Sequence, residues 1–507
     1  MQRLTVPASV TVDTIIKSGF SPRNFASVAI KRSSQSNLRD FLMTDRPVDK
    51  GTEPGGSSYV KDSTAAFVRN SCINFNDFAS DHLKYQSINP NLGYESTIFD
   101  GDLLLCKDAN IGDAAIYHAK EKTTVSLNSS GIVRLNIADP KKKHYILACL
   151  KDEYFRQQLD AVTPRGSTIR HSGDRYLDCK IPLPQPDEAW LYDIADALIK
   201  NILSAEILCE ERLDQAYEIF TNSLAIKTTS HSNPSVDELI SSGRVDAGFF
   251  SSTVQRLNEA LQSFAFGTET LVEGGFRIKR GPNLAKRDLG RSIVTDRMTQ
   301  GYDTLIYPSD ISDRGYLARQ AYIGARGKIW HLGLGDILFS AEGTVGRVFA
   351  VCSDRMKFTT NFHGIIISHI EGNLKRSCYL AMYLHFLRKF GYFEKVSVGG
   401  QGGSFASSYW ELIKVPKLDQ GIQSQLADLY HYEDHGLDPF IHNAAALEKS
   451  GIFELSQLRG QCKSILLAMM TDLKDDKLKE IQFYKDQYNK VFNSNFALHK
   501  EDIKEPC

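Results

Sequence analysis

The sequence predicts an α+β protein: two tandem mixed α/β domains related by pseudo-twofold symmetry, separated by long helices that pair as an antiparallel coiled coil. Three observations predict it. A pattern recurs at a constant displacement, each half runs through the same order of strands and helix, and a heptad seam follows the first half.

The repeat comes first because it sets the domain plan. Gly101-Asp102-Leu103-Leu104-Leu105 returns as Gly335-Asp336-Ile337-Leu338-Phe339, and Gly112 returns as Gly346 at the same displacement. Tyr145-Ile146-Leu147-Ala148-Cys149-Leu150 answers to Tyr379-Leu380-Ala381-Met382-Tyr383-Leu384, and Ile181-Pro182 to Val415-Pro416, with the displacement again unchanged. Between these anchors the halves diverge, so a scaffold repeats while its surface does not.

Within the first half, Leu103 to Cys106, Ala114 to His118 and Gly131 to Asn136 read as strands, being short apolar or alternating runs bounded by Gly, Asp and Asn. Tyr145 to Leu159 reads as one amphipathic helix, followed by a Gly-rich loop and a last strand ending on Ile181-Pro182. The second half repeats the order through 335–339, 347–352, 364–369, a helix over Tyr379 to Phe390, a loop, and 412–416.

After the first Pro-marked exit, Leu191, Ala195, Leu198, Ile202, Ala205, Cys209 and Ala216 recur at steps of four and three, with Arg212 the one break. Such a seam wants a partner helix. Leu458, Cys462, Ile465 and Met469 supply the same spacing near the C-terminus, where helical character continues with interruptions to about Phe492. The alternative is two unrelated core helices. The domain plan is therefore a first α/β domain over 1–185, a central helix over 186–225, a second α/β domain over 226–418, and a C-terminal helical region over 419–507 that pairs with the central helix.

Composition narrows the function classes. The chain has 507 residues with 60 Lys and Arg against 61 Asp and Glu, 42% hydrophobic and 24% charged, which excludes disordered, collagen-like and disulfide-scaffold classes. Nine scattered cysteines, with no Cys-x-x-Cys pair, are expected to be reduced and mostly buried. No apolar run reaches the length of a membrane span, and Met1-Gln2-Arg3 does not lead into an apolar signal core, so a cytoplasmic location is expected. The neutral balance withholds the strongly basic surface of a free-standing nucleic-acid binder, so any such contact must use local patches or partners.

Several chemistries are missing. No Pro-Pro dipeptide occurs, which excludes the usual Asn/Asp-Pro-Pro-aromatic site of amino-methyltransferases. The stretch Gly399-Gly400-Gln401-Gly402-Gly403-Ser404 lacks the lysine of a phosphate-binding loop. His431 and His435 stand four apart and could chelate a metal, though the surrounding pattern matches no zinc-protease motif and a solvated face is the plainer reading; no metal is expected. Asp102 and Asp336 invite an acid/base role, but a Gly-Asp pair before an apolar strand is ordinarily turn chemistry. No catalytic residue is assigned.

The string Thr163-Pro164-Arg165-Gly166-Ser167-Thr168-Ile169-Arg170, followed by Cys179-Lys180-Ile181-Pro182-Leu183-Pro184 after a Gly-Asp-Leu-Leu strand, resembles the target-recognition domains of type I restriction-modification specificity subunits. A weaker second copy runs from 335–338 through Ser397-Val398-Gly399-Gly400-Gln401-Gly402-Gly403-Ser404 to Val415-Pro416. Phe67-Val68-Arg69-Asn70 and its counterpart Leu305-Ile306-Tyr307-Pro308-Ser309-Asp310-Ile311 are also similar to the family. The resemblance spans most of the chain, departing at Gln401, which stands where the first loop has Ser167, in the leaders 1–59 and about 230–298, and at the breaks Gly436, Pro439 and Gly451.

The resemblance implies a non-catalytic DNA-specificity subunit, with two target-recognition domains that each read half of a split, asymmetric site and paired helices that space them. It implies docking to two methyltransferase subunits and optionally a restriction subunit, a hetero-oligomer serving phage defence. S-adenosylmethionine, ATP and Mg would sit on those partners and no cofactor on this chain. A specificity-like subunit of another defence or methylation-only complex stays open, as does a two-domain hydrolase. Around the first loop, Arg69, Arg165, Gly166, Ser167, Thr168, Arg170 and Arg175 offer guanidinium forks, hydroxyls and a close backbone approach to DNA. In the second half, the basic run containing Arg277, Lys279 and Arg280 and the loop residues Gln401 and Ser404 take that place, a solvated loop being the alternative.

Overall fold

The computed structural model describes the chain except residues 1–2, 6, 19, 21–24, 26, 165–167, 228–232, 285–288, 398–403, 406, 433–435 and 491–507. It forms two units. The first comprises Met1–Leu203, Pro439–His442 and Cys462–Lys485; the second comprises Ser204–Asp438, Asn443–Gln461 and the described residues after Lys485.

In the first unit the strands are β1 (Arg3–Thr5), β2 (Ser27–Ala29), β3 (Gln35–Asn37), β4 (Val48–Lys50), β5 (Ala65–Val68), β6 (Gln86–Ile88), β7 (Leu103–Cys106), β8 (Ala114–Ile116), β9 (Val125–Asn128), β10 (Ile132–Leu135) and β11 (Lys180–Pro182). The helices are α1 (Val12–Ser18), α2 (Lys143–Leu150), α3 (Glu153–Val162) and the start of α4 (Trp190–Leu224). A four-stranded sheet runs β4-β10-β7-β8, a three-stranded one β6-β5-β9, and β11 pairs with β3. All four residues of β7 are buried, so both faces of this strand are covered and its backbone groups are taken up by antiparallel partners on either side.

The second unit carries β12 (Thr268–Thr270), β13 (Phe276–Arg280), β14 (Ser292–Thr295), β15 (Asp303–Ile306), β16 (Ala321–Ala325), β17 (Ile337–Ser340), β18 (Val348–Ala350), β19 (Phe358–Thr360), β20 (Gly364–His369) and β21 (Lys414–Pro416). Its helices are α5 (Val236–Ser242), α6 (Ser252–Gln262), α7 (Leu374–Lys389), α8 (Tyr392–Val396), α9 (Gln420–Tyr430), α10 (Ala444–Lys449) and the start of α11 (Ile452–Lys474). The sheet β13-β20-β17-β18 has the strand order of β4-β10-β7-β8, and β15 pairs parallel with β19 as β5 does with β9.

The constant displacement of the repeat holds at the level of single hydrogen bonds. Gly112 N donates to Cys106 O and Gly346 N to Ser340 O, both at 2.9 Å. Gly101 N donates to Tyr117 O and Gly335 N to Val351 O, at 2.9 and 2.8 Å. Gly101 and Gly335 both take φ +82°, and Gly112 and Gly346 take +85° and +88°, conformations that L side chains rarely adopt. Tyr145 Oη donates to Pro182 O at 2.5 Å, and Tyr379 Oη to Pro416 O at 2.7 Å. The anchors recur because each closes a turn or satisfies a buried hydroxyl.

Asp102 and Asp336 do turn chemistry. Their carboxylates accept from Phe99 N at 2.7 Å and Gly333 N at 2.8 Å, closing the bend before each buried strand.

One sequence expectation is corrected. Tyr145 to Leu159 is two helices rather than one: α2 stops at Leu150, and Asp152 begins α3 by accepting from Tyr154 N at 2.7 Å. The carboxylate of Asp152 is also taken by buried Lys474, whose Nζ lies 2.6 Å from both oxygens, and that pairing holds the break. The C-terminal helical stretch is likewise interrupted: α11 stops at Lys474, and helix resumes over 481–490.

The predicted seam residues Leu191, Ala195, Leu198, Ile202, Ala205, Cys209 and Ala216 are buried, as are Leu458, Cys462, Ile465 and Met469. Arg212, the break in the seam, is buried too. It donates to the carbonyls of Glu448 and Ser450, where α10 ends and its unsatisfied C=O groups favour a cation. In the first unit Asn201 donates to Pro439 O at 3.0 Å, and in the second Arg459 Nε donates to Glu206 Oε1 at 2.8 Å. The eight described cysteines are free and buried, and no described helix is long and apolar enough to cross a membrane.

Two outcomes follow from the buried charges. Lys474→Met leaves Asp152 without its counter-charge, and urea unfolding is expected to show about 3–5 kcal/mol of stability lost, with part recovered in the double variant carrying Asp152→Asn. Half-buried Asp313 would be raised by desolvation alone, yet hydrogen bonds and charges from Arg347 and Arg388 pull its carboxyl down to about 2. A depressed carboxylate stabilises above its unfolded value and loses that contribution as pH falls toward 2. Asp313→Asn is therefore expected to flatten the acid limb of a thermal-denaturation pH profile between about pH 4 and 2.

Candidate nucleic-acid interface

In the first unit the chain leaves the buried strand β7 at Cys106 and meets the end of the Gly-rich loop. Asp108 and His171 form an isolated antiparallel bridge. Ser172 donates through N and Oγ to Lys107 O at 2.9 and 2.8 Å, and Ala109 N donates to Arg170 O at 3.0 Å. Asn70, next to exposed Arg69, donates its amide to Asp108 O at 2.6 Å. The Asp108 carboxylate takes Lys107 at 2.8 Å and His171 at 2.9 Å. Three separated segments, 69–70, 107–109 and 170–172, are thus brought together.

The predicted arginines divide there. Arg170 is half-buried, with Nη1 2.5 Å from Asp160 on α3, so its side chain braces the loop end. Arg175 is exposed and donates to Ser172 O at 3.0 Å, and Thr168 is exposed. Arg165, Gly166 and Ser167 lie outside the described residues.

The second unit builds a similar junction around β13, which among the described residues is an edge strand paired through β20. Phe276 is buried, whereas Arg277, Lys279 and Arg280 are exposed. Lys279 Nζ stands 4.6 Å from the centroid of the Trp330 ring, a cation–π contact on a partly exposed indole. Arg280 Nη1 is 3.8 Å from Glu342 Oε1, and His363 Nδ1 is 3.1 Å from Glu342 Oε2. Glu342 bridges to exposed Ser404, and Phe405 N donates to Ala341 O at 2.8 Å. The basic strand and the end of the Gly-rich loop, predicted separately, therefore meet at Glu342. Gln401 lies outside the described residues.

Sequence reasoning missed Asp108, His171, Trp330, Glu342 and His363. A signal existed for one pair: Glu342 follows Asp108 at the same displacement that takes Gly101 to Gly335, so both junctions use an acid just beyond the buried strand. Nothing local marks Trp330, because its contact with Lys279 joins segments far apart in the chain.

This arrangement offers cations, an indole face and hydroxyls on a surface anchored to a sheet, groups suited to phosphates and base edges. Among the described residues no three His, Cys, Asp or Glu side chains are grouped to hold a metal. His431 is engaged by Glu454, with Nδ1 2.5 Å from Oε1, and His435 lies outside the described residues.

Three solved structures that resemble this chain are of type I restriction-modification proteins. One, a type I restriction-modification S subunit from M. genitalium, shares 14% identity over 88% of this chain and 96% of its own, with a TM-score of 0.37. The HsdS subunit from Thermoanaerobacter tengcongensis shares 13% identity over 89% of this chain and 98% of its own, at TM-score 0.27. A structure described as underlying complex assembly and conformational transition of the type I R-M system shares 11% identity over 91% of this chain and 97% of its own, at TM-score 0.25. No family model and no curated protein matches the chain.

Proposed function

We propose that the chain is a non-catalytic DNA sequence-specificity subunit of a type I restriction-modification complex. It reads a bipartite, asymmetric site with two target-recognition domains and docks two methyltransferase subunits, with a restriction subunit as an optional addition. The observation that carries the reading is that the same hydrogen bonds recur at one displacement along the chain beneath unlike surfaces. One scaffold used twice presents two reading heads, and because exposed Arg175 is not repeated at Tyr409, the heads read unlike half-sites. A dimer of identical heads would read a palindrome.

The helix α4 is the ruler in this reading. Its 35 residues at about 1.5 Å each make a rod of about 50 Å, the length of roughly 15 base pairs at about 3.4 Å per pair. Local basic groups suffice because partner subunits supply further phosphate contacts, along with S-adenosylmethionine, ATP and Mg.

Methylation-aware sequencing of host DNA with and without this gene tests the reading. A bipartite motif that vanishes with the gene supports it; an unchanged methylome sinks it. Removing four residues inside the helix between Leu191 and Phe220 is expected to change the spacing between half-sites while leaving the bases of each half unaltered, read by the same sequencing. Arg277→Glu with Lys279→Glu is expected to weaken binding of the cognate duplex at least tenfold and to lower the slope of log affinity against log salt by about one for each phosphate no longer engaged.

A further inference from the structure

Each unit carries a short exposed helix built from the same local pattern, at a displacement different from that of the sheets. Val12-Asp13-Thr14-Ile15-Ile16 with Ser18-Gly19 returns as Val236-Asp237-Glu238-Leu239-Ile240 with Ser242-Gly243, a shorter step along the chain than the one from Gly101 to Gly335. The first lies in α1 and the second in α5.

The two are made alike. Thr11 Oγ1 accepts from Thr14 N at 3.3 Å, and Ser235 Oγ from Glu238 N at 3.2 Å, so each helix has a hydroxyl cap at the same place. Ile15 N and Leu239 N close the first turn on Thr11 O and Ser235 O, both at 3.1 Å. Between the exposed positions, Ile15 and Leu239 are half-buried in the two copies.

What each helix shows to solvent is apolar. Val12 is 70% exposed and Ile16 73%, against 69% for Val236 and 74% for Ile240, and a further exposed side chain follows each, Phe20 at 90% and Val245 at 86%. Residues four apart share a helix face, so Val and Ile form one ridge in each copy. Helices this short are not stable in water alone, and outward valine and isoleucine do nothing to hold them to their own unit. Elsewhere the two halves keep the scaffold and let the surface diverge; here it is a surface that is kept.

We propose that these ridges are paired docking sites for one polypeptide partner present in two copies, each copy seating a Val/Ile ridge in an apolar groove rimmed by a cation. The duplication decides the copy number, because a surface retained twice meets the same groove twice. Charge complementarity decides the rim: an exposed aspartate, Asp13 or Asp237, follows the valine in both helices. The mode is that of a helix laid in a groove, read through anchors four residues apart. The proposal rests on the function given above, in which a methyltransferase subunit occurs twice, and makes that subunit the occupant.

The test is the mass of the complex formed by the full chain with the methyltransferase subunit of the same host, measured by native mass spectrometry. The wild-type chain is expected to carry two copies, Ile16→Asp and Ile240→Asp one each, and the double variant none. The milder Ile16→Ser and Ile240→Ser are expected to weaken the matching site at least tenfold. Circular dichroism and binding of the bipartite duplex by the chain itself should stay unchanged, since the altered side chains are exposed. A complex that keeps two copies in every variant overturns this inference and leaves the specificity reading standing. A chain that self-associates through the ridges, losing that association with Ile16→Asp, overturns it in favour of a second copy of this protein. A wild-type chain that binds neither methyltransferase nor a bipartite duplex overturns both.

Discussion

The double-sided burial of strands β7 and β17 is the constraint from which the candidate interface follows. Every residue of Leu103–Cys106 and of Ile337–Ser340 is buried, so neither strand can turn a backbone group toward water. Antiparallel neighbours on both sides take up those groups, and beyond each strand Gly112 or Gly346, at positive φ, turns the chain back so that its N–H meets the strand's last carbonyl. The residues between strand and glycine need partners of their own. In the first unit they find them in 170–172, and in the second in 404–405, so the ends of both Gly-rich loops are pinned by the same requirement.

Against that apolar frame the buried polar groups act by direction. An apolar seam tolerates sliding, since one Leu or Ala resembles the next along a heptad. Glu206 does not: it is wholly buried, its carboxylate is met by Arg459, and Arg459 also donates to Leu317 O at 2.7 Å and Ala318 O at 3.2 Å. Arg212 reads the carbonyl end of α10 in the same way. Such groups are costly to bury and gain little net stability over apolar replacements, but each accepts only one alignment. The break that Arg212 makes in the heptad pattern is thus part of how the second unit is assembled.

Legibility differed from element to element for reasons that can be named. The strands around Leu103, Ala114 and Gly131 and their counterparts were readable because apolar runs of four or five bounded by turn residues leave little choice of conformation. The break at Lys151-Asp152 was not readable, because the apolar period continues through it, and the lysine that neutralises the capping carboxylate, Lys474, lies near the other end of the chain. The candidate interface divided similarly. Arg277, Lys279 and Arg280 were visible as a run of like charge, whereas Trp330, Glu342 and His363 were visible only as isolated residues.

By itself the sequence determined the repeat, the strand order it implies, the long helix with its seam, and the absence of a methyltransferase or phosphate-loop motif, since all of these are local patterns or comparisons of one local pattern with another. Tertiary structure alone decided that Arg170 braces a loop against Asp160 while Arg175 stays exposed, and that a basic strand and a Gly-rich loop meet at Glu342. It alone decided, too, which valines and isoleucines face solvent. The physical reason is the same in each case: a side chain's task is set by which distant groups the fold delivers to it, and periodicity records the face a residue occupies without recording what arrives there.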